Sequence, residues 1–119
     1  MKALIVDDET EICMLLGYQL SKMGVDTSKA HTISDGLETY DPAEHDLIFL
    51  DINLPDGNGL DVIPVFKQKN GKVKIVVISA YDTQAEHQKA EELGAYQFLG
   101  KPFSKQRVTE IINGLRTPH

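Results

Sequence analysis

The chain has 119 residues and a single cysteine, which points to one domain with no internal disulfide and fits a reducing, cytoplasmic setting. Hydrophobic residues make up 41% and charged residues 25%, a globular balance that argues against disorder. The formal charge of −6 disfavours non-specific binding to nucleic acid or anionic membrane, and no stretch approaches the roughly 20 apolar residues of a membrane span.

The hydrophobic pattern alternates regularly. Ala3-Leu4-Ile5-Val6 is a continuous apolar run, as in a strand buried on both faces, and it enters Asp7-Asp8-Glu9 directly, unlike a signal peptide. Ile12, Leu15, Leu16, Leu20 and Met23 then fall at helical spacing, with Gly24 placed to end the helix. Val25 to Ala30 reads as a more polar edge strand, and Ile33, Leu37 and Tyr40 as a short helix stopping before Pro42. Leu47 to Leu50 is a second buried strand ending at Asp51, and Asn53 to Gly59 has loop composition. A helix over Leu60 to Lys69 must kink or start late at Pro64. Val73 to Ile78 is the third strongly apolar strand, ending at Ser79. Asp82 is placed to cap the next helix, whose apolar stripe of Ala85, Ala90 and Leu93 is thin and which Gly94 should end. Tyr96 to Leu99 forms the last strand, before Gly100-Lys101-Pro102, and Ser104 caps a helix carrying Val108, Ile111, Ile112 and Leu115. Five strands alternating with five helices imply an α/β fold: one doubly wound parallel sheet, in the flavodoxin-like order 2-1-3-4-5, with helices on both faces.

In such sheets the working site lies beyond the carboxyl ends of the strands, at the point where the strand order reverses. The strands here end in Asp7-Asp8, Asp51, Ser79 and Lys101. Neighbouring first and third strands, roughly 4.8 Å apart, put three carboxylates on one rim beside a hydroxyl and an ammonium. Crowded carboxylates raise one another's pKa unless a cation joins them, and Lys101 offsets one charge only. An all-oxygen donor set without sulfur or imidazole selects Mg²⁺, with Mn²⁺ as the other candidate. Mg²⁺ beside an aspartate, a lysine and a hydroxyl suits phosphoryl transfer onto the carboxylate. Any one of these residues also reads as the polar end of a strand; the five in order carry the chemistry.

Leu4-Ile5-Val6-Asp7-Asp8-Glu9, the run from Leu50-Asp51 to Asn58-Gly59, Ile78-Ser79-Ala80 and Lys101-Pro102-Phe103 together resemble the receiver domains of two-component response regulators, over essentially the whole chain. The resemblance implies that Asp51 accepts the phosphoryl group, that Asp8 binds Mg²⁺ directly, and that Asp7 acts mainly through coordinated water. It implies that the Asn53 backbone carbonyl completes the protein ligands, that Lys101 pairs with the phosphoryl group, and that the Lys101-Pro102 bond is cis. Ser79 matches the switch hydroxyl and Phe98 the aromatic switch residue. Asn53 and Tyr81 match positions that tune the lifetime of the acyl phosphate. The implied partners are a sensor histidine kinase or a histidine phosphotransfer protein, and a target on the face of the fourth helix, fifth strand and fifth helix. Direct contact with nucleic acid or membrane is not expected. The domain would be a monomer or a phosphorylation-dependent homodimer, catalysing its own phosphorylation and dephosphorylation without being an enzyme toward other molecules.

No separate output domain is visible in residues 1–119, so a diffusible output regulator, a phosphorelay intermediate and a receiver cut from a longer regulator stay open, Pro118 then starting a linker. A phosphatase of the haloacid dehalogenase type needs an acid where Asn53 stands. A flavodoxin needs a hydroxyl-rich phosphate loop where Asp7-Asp8-Glu9 would repel phosphate. The set of site residues also argues against a degenerate receiver. Cys13 reads as a small packed residue, and His31, His45, His87 and His119 lack zinc-ligand spacing and are expected in solvent. Lys67, Lys69, Lys72 and Lys74, like Glu86, Glu91 and Glu92, read as solvated faces.

Overall fold

The computed structural model describes residues 1–116; His119 and the rest of the segment after the last helix lie outside the described residues. Seven strands and five α-helices follow in order: β1 (Lys2–Val6), α1 (Thr10–Lys22), β2 (Asp26–Ala30), α2 (Ile33–Thr39), β3 (Leu47–Asp51), β4 (Asn53–Leu54), β5 (Gly57–Asn58), a 3₁₀ turn (Gly59–Val62), α3 (Ile63–Lys69), β6 (Lys74–Ser79), α4 (Gln84–Glu92), β7 (Gln97–Gly100) and α5 (Lys105–Arg116). Five of the strands form one parallel sheet in the order β2-β1-β3-β6-β7. Numbered among these five strands alone, this is the expected order 2-1-3-4-5. The segment read as a plain loop after Asp51 instead pairs with itself, β4 against β5, as a small antiparallel hairpin.

Alternation along each central strand divides the core in two. Leu4, Val6, Ile48, Leu50, Ile75 and Val77 face α2, α3 and α4, where Tyr40, Ile63, Phe66 and Ala90 meet them. Ala3, Ile5, Leu47, Phe49, Val76 and Ile78 face α1 and α5, against Leu16, Leu20, Val108, Ile111 and Ile112. The central strands are therefore apolar on both faces, while β2, of sequence Asp-Thr-Ser-Lys-Ala, is half-exposed at the edge. Cys13 is buried in the second cluster, as expected of a packed residue.

The helix ends follow local chemistry. Pro64 falls in the first turn of α3, where its missing N–H is not needed, so the helix starts late and a 3₁₀ turn fills the gap. Ser104 Oγ accepts from Arg107 N–H at 3.1 Å and caps α5. The cap of α4 is Thr83, not Asp82: its hydroxyl accepts from Glu86 N–H at 3.2 Å. A Thr three residues before a Glu is a capping-box pair, and it starts the helix one residue later than an Asp82 cap would. Ala85 is consequently exposed and Ala90 is the one fully buried residue of α4, so its apolar stripe is thinner than expected.

Three groups expected in solvent are drawn inward, one of them Glu86, which is half-buried in α4. Lys67 donates its ammonium to the Val73 carbonyl at 3.0 Å. His45 is 5% exposed: its Nδ1 accepts from Asp41 N–H at 2.9 Å, which leaves the proton on Nε2 for Ser28 Oγ at 3.2 Å, and the ring stacks on Tyr40. Burial holds its pKa below the ordinary histidine value, although Asp41 pulls the other way. The unfolded chain thus takes up this proton before the folded one does. His45 should contribute its full stability above about pH 6.5 and lose it as the pH falls further. Urea unfolding of wild type and His45→Gln should show a stability difference that narrows between pH 7.5 and 5.5; a constant difference would contradict the assignment.

Candidate functional site

Parallel pairing of β1 with β3 sets Val6 against Leu50, so Asp7 and Asp51 leave the sheet side by side. Pairing of β3 with β6 and of β6 with β7 sets Asp51 against Ile78 and Ser79 against Gly100, which brings Ser79 and Lys101 to the same rim. The rim is held by main-chain bonds: Asp7 N–H to the Ala30 carbonyl, Ile52 N–H to the Ile78 carbonyl, and Lys101 N–H to the Ser79 carbonyl. Gly59 closes the base. A Cβ there would lie 2.0 Å from the Asp51 carbonyl oxygen, so only glycine lets the turn before α3 pass behind the acid. Asp56, in the β4–β5 turn, accepts from Ile33 and Ser34 N–H at 2.8 and 3.0 Å and fastens the hairpin to the start of α2.

One carboxylate oxygen from each of Asp7, Asp8, Glu9 and Asp51 lies within 4.8 Å of the others. Asp7 and Asp51 are buried, while Asp8 and Glu9 are exposed. Asp7 Oδ1 accepts from Glu9 N–H at 2.8 Å, and its other oxygen lies 2.9 Å from Lys101 Nζ. The same ammonium reaches Glu9 Oε1 at 2.7 Å and Asp51 Oδ2 at 3.3 Å, while Asn53 N–H donates to Asp51 Oδ1 at 3.3 Å. Burial would favour a neutral Lys101, but the bonds it donates to Glu9 and Asp7 and the charge of Asp51 outweigh it and hold the ammonium above its ordinary range. Asp51 moves up too, to about 6, because burial and the charge of Asp7 exceed what Lys101 and the Asn53 N–H return. A single cation shared by three acids leaves Asp51 undercompensated. The pocket of about 240 Å³ over it is lined by Asp8, Glu9, Asp51, Asn53, Ala80 and Lys101. An excess of close oxygen donors over positive charge fits a hard divalent cation such as Mg²⁺.

The model of the response regulator receiver domain family matches residues 3–113. The chain belongs to this family. It is 36% identical over 111 residues to response regulator protein PilR of Pseudomonas aeruginosa, covering 93% of this chain and 25% of PilR. It is 32% identical over 114 residues to the alkaline phosphatase synthesis transcriptional regulatory protein PhoP of Bacillus subtilis, covering 96% of this chain and 48% of PhoP. This chain thus spans a quarter to a half of those relatives. Among solved structures, the non-phosphorylated HemR receiver domain of Leptospira biflexa superposes with a TM-score of 0.87 at 30% identity, covering 99% of this chain and 98% of that one. Receiver domains are signalling modules of two-component systems, and as a family they bind Mg²⁺.

Not every residue expected in the receiver site converges on Asp51. Asp7, Asp8, Asn53 and Lys101 do. Ser79 is fully buried, and its hydroxyl accepts from Tyr81 N–H at 2.9 Å and donates to the Tyr81 carbonyl at 3.3 Å. Tyr81 itself is 63% exposed, outside the pocket lining. Phe98 is half-buried on β7 against the α4 side of the core. The Lys101-Pro102 bond is cis. Glu9 had no assigned role in the sequence reading, yet it makes the shortest contact to Lys101; a third acid in the run after β1 was the available signal. His31 is exposed as expected, but its Nδ1 bonds the Asp7 carbonyl at 2.9 Å, and Cys13 Sγ donates to that carbonyl at 3.3 Å. Burial foremost, then Asp7, pushes the Cys13 thiol up to about 11, so it packs and does not react.

The raised Asp51 pKa makes a sign-definite prediction for the metal-free protein. The penalty of its buried charge is complete above pH 6 and is relieved as the pH falls toward the ordinary value of 3.8. Asp51→Asn should therefore stabilise the fold at pH 7.5 by about 1–3 kcal/mol, and denaturant titrations should show this gain shrinking as the pH falls from 6 toward 4.

Proposed function

We propose that Asp51 accepts a phosphoryl group from the phosphohistidine of a sensor histidine kinase or of a histidine phosphotransfer protein, and that phosphorylation switches the contacts this domain makes with a target protein. The observation that carries this reading is the undercompensated Asp51 carboxylate at the floor of an acidic, lysine-bearing pocket. An Asp51 oxygen attacks phosphorus while the bond to the donor's imidazole breaks. Asp8, Asp51, the Asn53 carbonyl and, through water, Asp7 would hold Mg²⁺, or Mn²⁺ in its place, and the bound cation would neutralise charge on the transferring group. Lys101 neutralises a second phosphoryl oxygen, from the position where it already meets Asp51 at 3.3 Å. Because these groups are contributed by the domain itself, a small phosphodonor suffices.

Once Asp51 carries a phosphoryl group, Ser79 exchanges its bonds to Tyr81 for one to a phosphoryl oxygen. Phe98 then moves into the vacated space and alters the surface of α4, β7 and α5 that a target reads. Phe98 has no hydroxyl, so it contributes by packing. Tyr81 and Asn53, two residues beyond Ser79 and Asp51, limit the access of hydrolytic water. The target face is protein-binding, and the domain acts as a monomer or as a homodimer formed on phosphorylation, in the cytoplasm. Residues 1–119 form the receiver unit. The length of the relatives favours a second reading of its setting, as the receiver part of a longer regulator, over a free-standing output protein or relay intermediate.

Incubation with acetyl phosphate and Mg²⁺, followed by intact-mass measurement, should add one phosphoryl group to wild type and none to Asp51→Asn or to wild type in a chelator. A wild-type protein that neither gains the group nor binds beryllofluoride would overturn the reading. Tyr81→Ala should shorten the half-life of the phosphorylated protein by about two- to tenfold, of the order expected for changed access of a water to a reacting group; an unchanged half-life would remove Tyr81 from that role.

A further inference from the structure

Phe98 does not rest against α4 through aliphatic contacts alone. The His87 ring, one turn into α4, stacks on it with centroids 3.8 Å apart and planes 23° from parallel. His87 Nε2 is in turn held by the Asp82 carboxylate, from the loop that joins β6 to α4. That carboxylate also leans on β7: a Cβ on Gly100 would lie 2.9 Å from Asp82 Oδ2. Next to the stack is a groove of about 280 Å³, lined by Ala90, Glu91, Ala95, Tyr96, Gln97 and the two rings. Asp82 sits one residue beyond Tyr81, whose backbone holds the Ser79 hydroxyl.

We infer that His87 is a positioning residue that, tethered by Asp82, stacks on Phe98 and holds this receiver in its resting state. The inference rests on the phosphoacceptor reading given above. When Ser79 turns toward Asp51 it releases the Tyr81 backbone, the loop carrying Asp82 shifts, and the stack on Phe98 opens. The tether is half-exposed and the stack is a single ring pair, so the latch biases an equilibrium and does not lock it. A contact present only in the resting state lowers the population of the binding-competent state, and so weakens the apparent affinity of anything that binds that state alone.

Beryllofluoride with Mg²⁺ is the probe, titrated into wild type, His87→Ala, His87→Phe and Asp82→Asn. His87→Ala and Asp82→Asn should bind about three- to tenfold more tightly than wild type, as loss of one ring stack or weakening of one half-exposed side-chain contact allows. His87→Phe, which restores a ring over Phe98, should return toward wild type. A merely structural role predicts the opposite direction, because a destabilised domain does not bind more tightly. In wild type, the ring protons of His87 should be shifted upfield by Phe98 at rest and should return to ordinary positions at beryllofluoride saturation. His87→Ala binding no tighter than wild type, or His87 resonances that stay in place at saturation, would overturn the latch alone. A wild type that binds no beryllofluoride would instead take down the phosphoacceptor reading, and the latch with it.

Discussion

Three carboxylates at the carboxyl ends of β1 and β3 share one ammonium, and much of the molecule serves to keep them in that position. Asp7 and Asp51 are adjacent because two parallel strands run in register, and those strands hold register because both their faces are buried. Slipping either strand by one residue would turn its apolar set from one core into the other. The hydrophobic ordering of the sheet therefore supports an electrostatic arrangement that would otherwise fly apart. Lys101 arrives from the far edge strand, across β6, and its shortest contact is with exposed Glu9 rather than with buried Asp51. Of the three acids, Asp51 is therefore the one farthest from the shared ammonium. A site left with surplus negative charge favours ligands that carry positive charge to it.

The sheet order and the rim were legible because their signals are strong and local. Continuous apolar runs such as Leu47 to Leu50 and Ile75 to Ile78 can hardly be anything but central strands in a chain of this length, and each ends in a polar residue at the rim of the sheet. What could not be read depended on choices between near-equal local options. Asp82 and Thr83 both cap helices well; the Thr83–Glu86 pair took the cap and left the Asp82 carboxylate to reach His87. His45 looks like a loop histidine, and nothing within a few residues announces that Ser28, 17 positions away, will meet it. Glu9 carries no pattern beyond its place in an acidic run, and its partner is 92 residues distant. Long-range side-chain pairings of this kind are settled by tertiary packing, which one-dimensional periodicity does not encode.

The two sides of the sheet differ in how firmly they hold their helices. On one face α1 and α5 insert several large aliphatic side chains each, whereas α4 contributes one fully buried residue, an alanine. Little apolar burial holds α4, so side-chain contacts at its start carry an unusual share of its position. The Thr83 cap and the His87 ring are both found there. Elements with few buried contacts are those that open or shift at low free energy. The start of α4 is therefore a place where a small change in side-chain contacts can shift the helix.

Gly59 and Ser79 flank Asp51 in different ways. At Gly59 backbone is pressed on the Asp51 carbonyl, with no room for a Cβ. Across the pocket, the Ser79 hydroxyl and the Tyr81 backbone are joined only by hydrogen bonds that can be exchanged one for another. The acid is thus mounted between a close backbone contact on one side and exchangeable hydrogen bonds on the other, so a change of volume at Asp51 meets less resistance toward Ser79 than toward Gly59.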